Sequence, residues 1–251
     1  MSTFNASSFD AAQDKTFGAA QSKKLVFDIE TIGVDFNSLD KISQDYLLQY
    51  AEDEEEENKI KEQLGFSPLT GEIVAIGILN PDTMKGAIYL KANGKSQIAN
   101  NELGEGIIVG FGTEKEILEK FWETVKSHNY FISFNGRGFD VPFLMIRSAI
   151  LGVKPSKNLL SNRYLNSQKW DSVHVDLADQ FTFYSAFRQR SNLHMFAKAF
   201  GVKSPKEQGI DGYEVGNLYK EGKLLEIAKY NLGDLRATKE LYEKWHRYLN
   251  L

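Results

Sequence analysis

Two acidic residues, Asp28 and Glu30, are spaced so that one β-strand would present both carboxylates on the same face. They lie at the end of a short apolar run, residues 23–29, that is typical of a strand in the buried centre of a sheet. Because side chains alternate along a strand, the residues between and beside them face the other way. Two buried carboxylates repel each other unless a cation such as Mg²⁺ neutralises them. For this segment alone, a solvent-exposed strand end is an equal alternative.

A third carboxylate, Asp140, follows a predicted junction between a strand and a helix. The strand ends at Asn135 and Gly136, which are typical turn residues, and an apolar helix is predicted over residues 139–151. An aspartate at a helix start can simply complement the helix dipole, and Pro142 is an ordinary residue of a first turn. This segment alone does not distinguish a structural role from a functional one.

The last predicted helix, residues 223–249, carries Tyr230 and Asp234 at i, i+4 spacing. That spacing places the phenol and the carboxylate on one face of the helix, one turn apart. Gly233 costs about 1 kcal/mol relative to alanine inside a helix, which indicates that space is needed beside Asp234. Tyrosine is common in helices for packing, so this pair is unspecific when taken alone.

Taken together, the three segments resemble the motifs of the DEDD 3′–5′ exonucleases, in the subgroup with a tyrosine in its third motif. Residues 27–31 (FDIET) resemble the first motif, Asp-x-Glu. Residues 135–144 (NGRGFDVPFL) resemble the second motif in the form used by proofreading domains of family B DNA polymerases, and residues 230–234 resemble the third. The order and the contexts agree over residues 23–251, which are similar to predicted bacterial exonucleases related to that polymerase domain.

The resemblance implies an α/β, RNase H-like fold, with a mixed β-sheet flanked by helices, and two divalent cations, Mg²⁺ or Mn²⁺. Two such cations lie about 3.5–4 Å apart in sites that cleave phosphodiesters. The resemblance implies that Asp28 bridges them, that Glu30 and Asp234 hold the cation that activates water, and that Asp140 holds the other through its waters. Tyr230 is expected to orient the attacking water by a hydrogen bond.

The resemblance also implies contacts with the 3′ end of a single-stranded DNA or RNA. Thr31 and Asn135 occupy positions at which the family contacts the terminal nucleotide. Phe139 is a candidate for stacking on the terminal base or sugar, with packing in the core as the alternative. Four basic residues are candidates for lining the path of the strand, with ordinary surface as the alternative: Arg163, Lys169, Arg188 and Arg190.

Charge is distributed unevenly along a chain whose net charge is −4. Residues 30–62 contain 11 acidic and 3 basic residues, whereas residues 147–206 contain 10 basic and 3 acidic residues. Both excesses can be solvated surface. An acidic lobe beside a basic one nevertheless suits a protein that attracts an anion to one face. The run of acids over residues 52–57 is interpreted as a solvated helix face.

The rest of the sequence predicts the elements that position these motifs. Strands are predicted over residues 72–79, 87–90, 106–111, 130–134 and 173–175, and helices from Thr113 and over residues 177–184, 192–200 and 214–220. We expect a flexible leader over residues 1–22 and a single domain over residues 23–251, with an acidic helical insertion at about 39–64. Because the chain has no cysteine and no membrane-length apolar run, we expect a cytoplasmic protein without a membrane partner.

The remaining residues with possible chemistry have ordinary interpretations. The four histidines show no ligand spacing and are expected to face solvent or to be hydrogen-bonded. Asp176 and Asp179 could add a metal contact, but a helix cap at Asp176 is the favoured interpretation. The three tryptophans, Trp122, Trp170 and Trp245, are assigned to packing.

Two other functions compete with the exonuclease. One is a nucleic-acid-binding scaffold with an inactive site, against which the presence of all four carboxylates and the tyrosine speaks. The other is an endonuclease or oligonucleotide phosphodiesterase with the same metals, since the walls of a groove, and not its metals, decide substrate length.

Overall fold

A mixed six-stranded sheet with the order β4-β3-β2-β1-β5-β6 forms the centre of the protein. The computed structural model describes residues 23–94, 98, 102–188, 191–204, 212 and 214–250. The strands are β1 (Lys24–Gly33), β2 (Gly71–Leu79), β3 (Gly86–Lys91), β4 (Ile107–Gly112), β5 (Tyr130–Ser133) and β6 (Val173–Asp176). β2 is antiparallel to both β1 and β3, whereas β1, β5 and β6 are parallel. The predicted leader, residues 1–22, and Arg190 lie outside the described residues.

Helices flank this sheet on both faces. The helices of the described residues are α1 (Lys41–Leu48), α2 (Glu54–Glu62), α3 (Glu114–Lys126), α4 (Asp140–Ile150), α5 (Leu177–Phe181), α6 (Leu193–Phe200), α7 (Val215–Glu221) and α8 (Leu224–Tyr248). The predicted capping box is present at the start of α3, where Thr113 and Glu116 bond each other's backbone N–H groups. Across the described part of the chain, no helix combines the length and the apolar character needed to cross a membrane.

Each face of the sheet packs its own hydrophobic core, and β1 contributes to both. Val26 belongs to the core shared with α8, whereas Leu25, Phe27 and Ile29 belong to the core shared with α3 and α4. The predicted alternation along β1 is therefore confirmed. Asp28 and Glu30 consequently belong to the face of the sheet that α8 covers.

The parallel strands β1, β5 and β6 bring their carboxyl ends to one edge of the sheet. The pairing of β1 with β2 shifts between Glu30, which pairs with Ala75, and Thr31, which pairs with Ile73, so β2 carries one extra residue opposite the end of the acidic pair. In open α/β sheets, ligands bind in the crevice outside the carboxyl ends of the strands. The topology therefore places the predicted site where such sheets hold ligands.

The segment between β1 and β2 contains α1 and α2, neither of which has a buried residue. Asp40 and Asp53 cap the two helices, and a 3₁₀ turn, Gln63–Phe66, returns the chain to β1. Gly65 lies against Gly33 so closely that a Cβ at residue 65 would approach the Gly33 nitrogen to 2.9 Å. The acids of this segment thus lie on solvated helices, as the sequence indicated.

Two predictions about local structure are wrong. The helix predicted over residues 177–184 ends at Phe181, because Phe183, Tyr184 and Ser185 adopt positive φ angles of 48°, 56° and 78°. A right-handed helix cannot continue through such residues. Trp170 is 70% exposed in the loop before β6, whereas Trp122 and Trp245 are buried as expected.

Candidate active site

Three carboxylates from the two ends of the chain meet at the edge of the sheet. Asp28 and Glu30 come from β1, and Asp234 comes from α8. One oxygen from each lies within 4.8 Å of the others. Glu30 and Asp234 are buried, at 6% and 9% exposure, and Asp28 is half-buried. This spacing allows a single cation to contact all three side chains.

Asp140, the fourth predicted carboxylate, adjoins this cluster but is not one of the three. It begins α4, is 4% exposed, and its Oδ1 accepts a hydrogen bond of 3.1 Å from the backbone N–H of Ile29. Because Ile29 lies between Asp28 and Glu30 in β1, this bond ties the second motif to the first. The structure therefore brings all four carboxylates to one place, with Asp140 in a distinct environment.

The electrostatics of the four acids favour a bound cation. Burial is the main cause that raises the pKa of Asp28 and of Glu30, and repulsion from Asp140 and Asp234 raises both further. Burial also raises the pKa of Asp140 to about 7. Buried acids of one sign resist ionisation together, and divalent metal ions remove that cost.

Asn231 is a residue of the site that the sequence analysis missed. It is fully buried on α8, and its Nδ2 donates to Asp28 Oδ2 at 2.8 Å and to Glu30 Oε1 at 3.4 Å. Its Oδ1 is buried and has no hydrogen-bond partner among the described residues. Carboxylate oxygens are the hard donors that Mg²⁺ and Mn²⁺ take, so the acids present fit such cations.

A glycine in β2 makes room for this asparagine. Gly77 pairs with Asp28 across the sheet, and a Cβ at residue 77 would lie 1.9 Å from Asn231 Oδ1. No side chain other than hydrogen fits there without displacing the amide. A glycine inside the apolar run IVAIGIL was the signal that could have indicated a close neighbour.

Tyr230 lies next to a small cavity that reaches the carboxylates. The cavity has a volume of about 150 Å³, and its lining residues are Asp28, Phe134, Asn192, Leu193, His194, Ser204, Tyr230 and Asp234. His194 Nδ1 and the buried Ser204 Oγ are 2.8 Å apart, which fixes the imidazole in the cavity wall. The predicted phenol and two predicted carboxylates thus share one polar pocket.

Asp176 holds the loop that carries the second motif. Its carboxylate accepts hydrogen bonds from the backbone N–H groups of Asn135, Arg137 and Ala178, at 2.8, 2.8 and 2.9 Å. The bond from Ala178 is the predicted cap of α5. Asp176 does not belong to the group of three carboxylates. Its role is to fix the backbone of Asn135, which adopts a positive φ of 60°, and so the loop that leads from Asn135 to Asp140.

His174 packs beneath the sheet end of the same loop, where it contacts Ser133 and Leu159. It is 1% exposed, its Nε2 lies 2.8 Å from Ser133 Oγ, and its Nδ1 lies 3.0 Å from the Leu159 carbonyl oxygen. Burial lowers its pKa to about 4. The neutral, hydrogen-bonded form is the structural role expected for a histidine that binds no ligand.

The predicted substrate contacts are spread around this site. Thr31 Oγ1 donates to the Gly65 carbonyl at 2.7 Å and so attaches the 3₁₀ turn to β1. Phe139 is half-buried, and its ring centre lies 5.5 Å from that of Phe143 and 6.4 Å from that of Phe66. Arg188 is exposed. The contribution of these residues to substrate binding stays a prediction.

Comparison with known proteins agrees with this geometry. Residues 86–249 match the family described as predicted 3′–5′ exonucleases related to the exonuclease domain of PolB. A DNA polymerase of Desulfurococcus sp. (strain Tok) is 28% identical over 171 residues, which are 61% of this chain and 21% of that protein. A DNA polymerase of Thermococcus gorgonarius is 30% identical over 147 residues, 51% of this chain and 18% of that protein. The chain thus spans about a fifth of these relatives.

The solved structure of the family B DNA polymerase from Pyrobaculum calidifontis has the same fold. It superimposes with a TM-score of 0.56 over 89% of this chain and 24% of that one, at 20% identity. The family match starts at β3 and so leaves out β1, but the structure places Asp28 and Glu30 beside Asp234 of the matched region. The mixed sheet flanked by helices is the expected RNase H-like α/β fold. The chain therefore belongs to the family of predicted 3′–5′ exonucleases related to the exonuclease domain of PolB, and its enzyme class is that of a 3′–5′ exonuclease.

Proposed function

We propose that the chain removes nucleotides from the 3′ end of single-stranded DNA or RNA by hydrolysing phosphodiester bonds with two divalent cations, Mg²⁺ or Mn²⁺. The observation that carries this proposal is the meeting of Asp28, Glu30 and Asp234 oxygens within 4.8 Å, next to Asp140. An inactive scaffold would have no need to bury like charges in this way. Membership of the exonuclease family supports the polarity from the 3′ end.

Each residue of the site has a role in this proposal. Asp28, Glu30, Asp140 and Asp234 would hold the cations, which supply charge neutralisation at the phosphate and activation of water when bound. Asn231 holds the carboxylates of Asp28 and Glu30 in place through its amide. Tyr230 belongs to the cavity wall beside Asp28 and Asp234, and we assign it the orientation of the attacking water by a hydrogen bond.

Hydrolysis of end-labelled oligonucleotides tests this function. Single-stranded DNA and RNA with a 5′ label are incubated with the wild-type chain and with Asp28→Asn, in Mg²⁺, Mn²⁺ or EDTA. We expect a ladder of labelled products that shortens one nucleotide at a time, in Mg²⁺ or Mn²⁺ only. The Asp45→Asn variant is the matched control, because Asp45 is an exposed aspartate whose partner is Lys41 on α1. It should retain full activity.

Other product patterns would contradict the proposal. Internal cuts without shortening from the 3′ end would show an endonuclease. Binding without cleavage under every metal condition would show a nucleic-acid-binding scaffold. Calorimetric titration with Mn²⁺ alone tests the metal site separately, and it should show binding to the wild type that Asp28→Asn weakens.

A further inference from the structure

Large aromatic side chains are exposed on two segments that lie against each other beside the second motif. Tyr164, Phe183 and Phe187 are 52%, 57% and 47% exposed. The Tyr164 and Tyr184 rings connect the two segments, with their centres 4.8 Å apart. The Tyr184 hydroxyl also accepts a hydrogen bond from the Leu165 N–H at 3.3 Å. We call Tyr164, Phe183, Tyr184 and Phe187 the aromatic surface.

The backbone of the aromatic surface is held in an unusual conformation. Phe183, Tyr184 and Ser185 are three successive residues with positive φ, a region that bulky side chains rarely adopt. Hydrogen bonds from the Tyr184 N–H to the Asp179 carbonyl (2.7 Å) and from the Phe187 N–H to the Thr182 carbonyl (2.9 Å) stabilise it. A strained backbone persists only where surrounding contacts hold it in place, and such positions are frequent at functional sites. Here it accompanies two exposed phenylalanines.

Two arginines, Arg163 and Arg188, lie beside these rings in space or in sequence. All four aromatic residues belong to residues 147–206, which contain 10 basic and 3 acidic residues. The Arg163 guanidinium lies 6.0 Å from the centre of the Tyr184 ring, and its Nη2 donates to Ser185 Oγ at 3.1 Å. Arg188 follows Phe187 directly and is exposed. Exposed rings among cations are suited to a polyanion that also offers flat apolar faces.

The aromatic surface adjoins the site through two aspartates. Arg163 Nε donates to Asp179 Oδ1 at 3.0 Å, and Arg137 Nε lies 3.8 Å from Asp179 Oδ2. The backbone N–H of Arg137 in turn donates to Asp176, which also holds Asn135. Arg137 precedes Asp140 by three residues. The aromatic surface is therefore connected to the loop of the second motif through Arg163, Asp179 and Arg137.

We propose that the aromatic surface binds single-stranded nucleic acid, with unpaired bases stacked on Phe183, Phe187 and Tyr164. The inference rests on the proposed function, because it names the platform that holds the strand whose 3′ end is cut. Single-stranded substrates are favoured over duplex because the faces of paired bases are already stacked within the helix. Stacking on an aromatic ring is sequence-tolerant, since every base has a flat face.

Binding and cleavage measured separately test this platform. Fluorescence anisotropy in EDTA reports the affinity of the full chain for a labelled single strand of about 20 nucleotides, longer than the sites of about 4–16 nucleotides that single-strand-binding folds cover. We expect Phe183→Ala with Phe187→Ala to weaken binding about 10-fold or more. The matched control is Tyr46→Ala with Tyr50→Ala, which removes rings that are 69% and 84% exposed near the acids of the insertion. It should leave the affinity unchanged.

A conservative variant and a short substrate separate stacking from misfolding. Phe183→Trp should keep the affinity of the wild type, whereas Phe183→Leu, which stays apolar, should lose part of it. Our inference places the stacked bases upstream of the two terminal nucleotides, so hydrolysis of a dinucleotide in Mg²⁺ should proceed at the wild-type kcat/KM in the Phe183 and Phe187 variants. Hydrolysis of the long strand should show a raised KM with kcat retained.

Three results would overturn the inference. The first is that the wild type and the alanine variant bind the single strand with equal affinity. The second is that the variant loses as much affinity for blunt duplex as for the single strand. The third is that the wild type is a dimer in solution and the variant is a monomer. The last would mean that a second copy covers the rings. A wild type that cleaves nothing but binds the strand through these rings would instead contradict the proposed function and leave the platform intact.

Discussion

The two faces of the sheet bury charged side chains in opposite ways. On the face that α3 and α4 cover, Arg147 donates to both oxygens of Glu114 at 2.8 and 2.6 Å, and the Ile73 N–H donates to Glu114 Oε1 at 2.9 Å. On the face that α8 covers, Asp28, Glu30 and Asp234 bring like charges within 4.8 Å. The first group is neutralised by the protein itself, whereas we propose that cations neutralise the second.

Buried charges that stabilise the fold and buried charges that bind a ligand are expected to differ in this way. Glu114 and Arg147 are joined by two hydrogen bonds, and the contact with Glu114 raises the pKa of Arg147. Asp28 and Glu30 instead have raised pKa values, because burial and repulsion from neighbouring acids disfavour their ionisation. A folded protein tolerates such a cost at positions where binding a ligand removes it. Removing one charge should therefore have opposite effects on stability at the two places.

The largest effect is expected from Asp28→Asn. The substitution keeps the hydrogen bond from Asn231 within reach but removes a charge from the centre of the proposed metal site. We expect hydrolysis to fall by about 10³-fold or more, which corresponds to roughly 4 kcal/mol of lost stabilisation of the transition state. Single-turnover rates on a labelled strand in saturating Mg²⁺ measure it. A loss below about 10-fold would show that Asp28 does not hold the metal.

On the opposite face, Arg147→Ala should destabilise the fold. The substitution leaves the Glu114 carboxylate buried without its guanidinium, which typically costs about 3–5 kcal/mol. Urea unfolding measures the loss of unfolding free energy. Lys59→Ala is the control, because its exposed pair with Glu55 should contribute less than about 1 kcal/mol. Mn²⁺ binding to folded Arg147→Ala should be unchanged, and weakened binding would mean that the two faces are coupled.

His174 should make the unfolding free energy depend on pH. Its pKa in the folded protein, about 4, lies below its ordinary value of 6.5. The unfolded chain therefore binds the proton more tightly than the folded protein does. The stability that the neutral His174 side chain contributes is present above pH 6.5 and is lost as the pH falls to 4. Relative to His174→Gln, which binds no proton, the wild type should lose roughly 3 kcal/mol between about pH 7 and pH 4. Urea unfolding at several pH values measures this, and parallel curves would contradict it.

Asp140→Asn should stabilise the metal-free protein, the opposite of Arg147→Ala. The pKa of Asp140, about 7, lies above its ordinary value of 3.8, so its contribution to stability is lost as the pH rises through 7. The neutral amide can still accept from Ile29 and avoids that loss. In EDTA near pH 8 we expect a gain of roughly 1 kcal/mol or more, or about 2–4 °C in Tm, that vanishes near pH 4.

Differential scanning fluorimetry with and without Mg²⁺ provides the check on Asp140. The cation should raise the Tm of the wild type and should raise that of Asp140→Asn less, because the variant has one negative charge fewer for the cation to neutralise. A lower Tm of the variant in EDTA at high pH would show that the Asp140 charge supports the fold.

The elements and the three motifs could be predicted from the sequence because their signals are local. Alternation along residues 27–31 assigned Asp28 and Glu30 to one face, and i, i+4 spacing did the same for Tyr230 and Asp234. The capping box at Thr113 fixed the start of α3 in the same way. The leader, the domain boundaries and the cytoplasmic location stay predictions.

What the tertiary structure alone decided are contacts between segments that lie far apart in the chain. Asn231 reaches Asp28 only because β2 pairs Gly77 with Asp28 under α8, a register that no local pattern encodes. Asp140 differs from the other acids because it accepts from the backbone of Ile29, 111 residues away. The sequence by itself determined which side chains could do chemistry. Packing between distant elements decided which of them meet, because burial and charge depend on neighbours that sequence distance does not reveal.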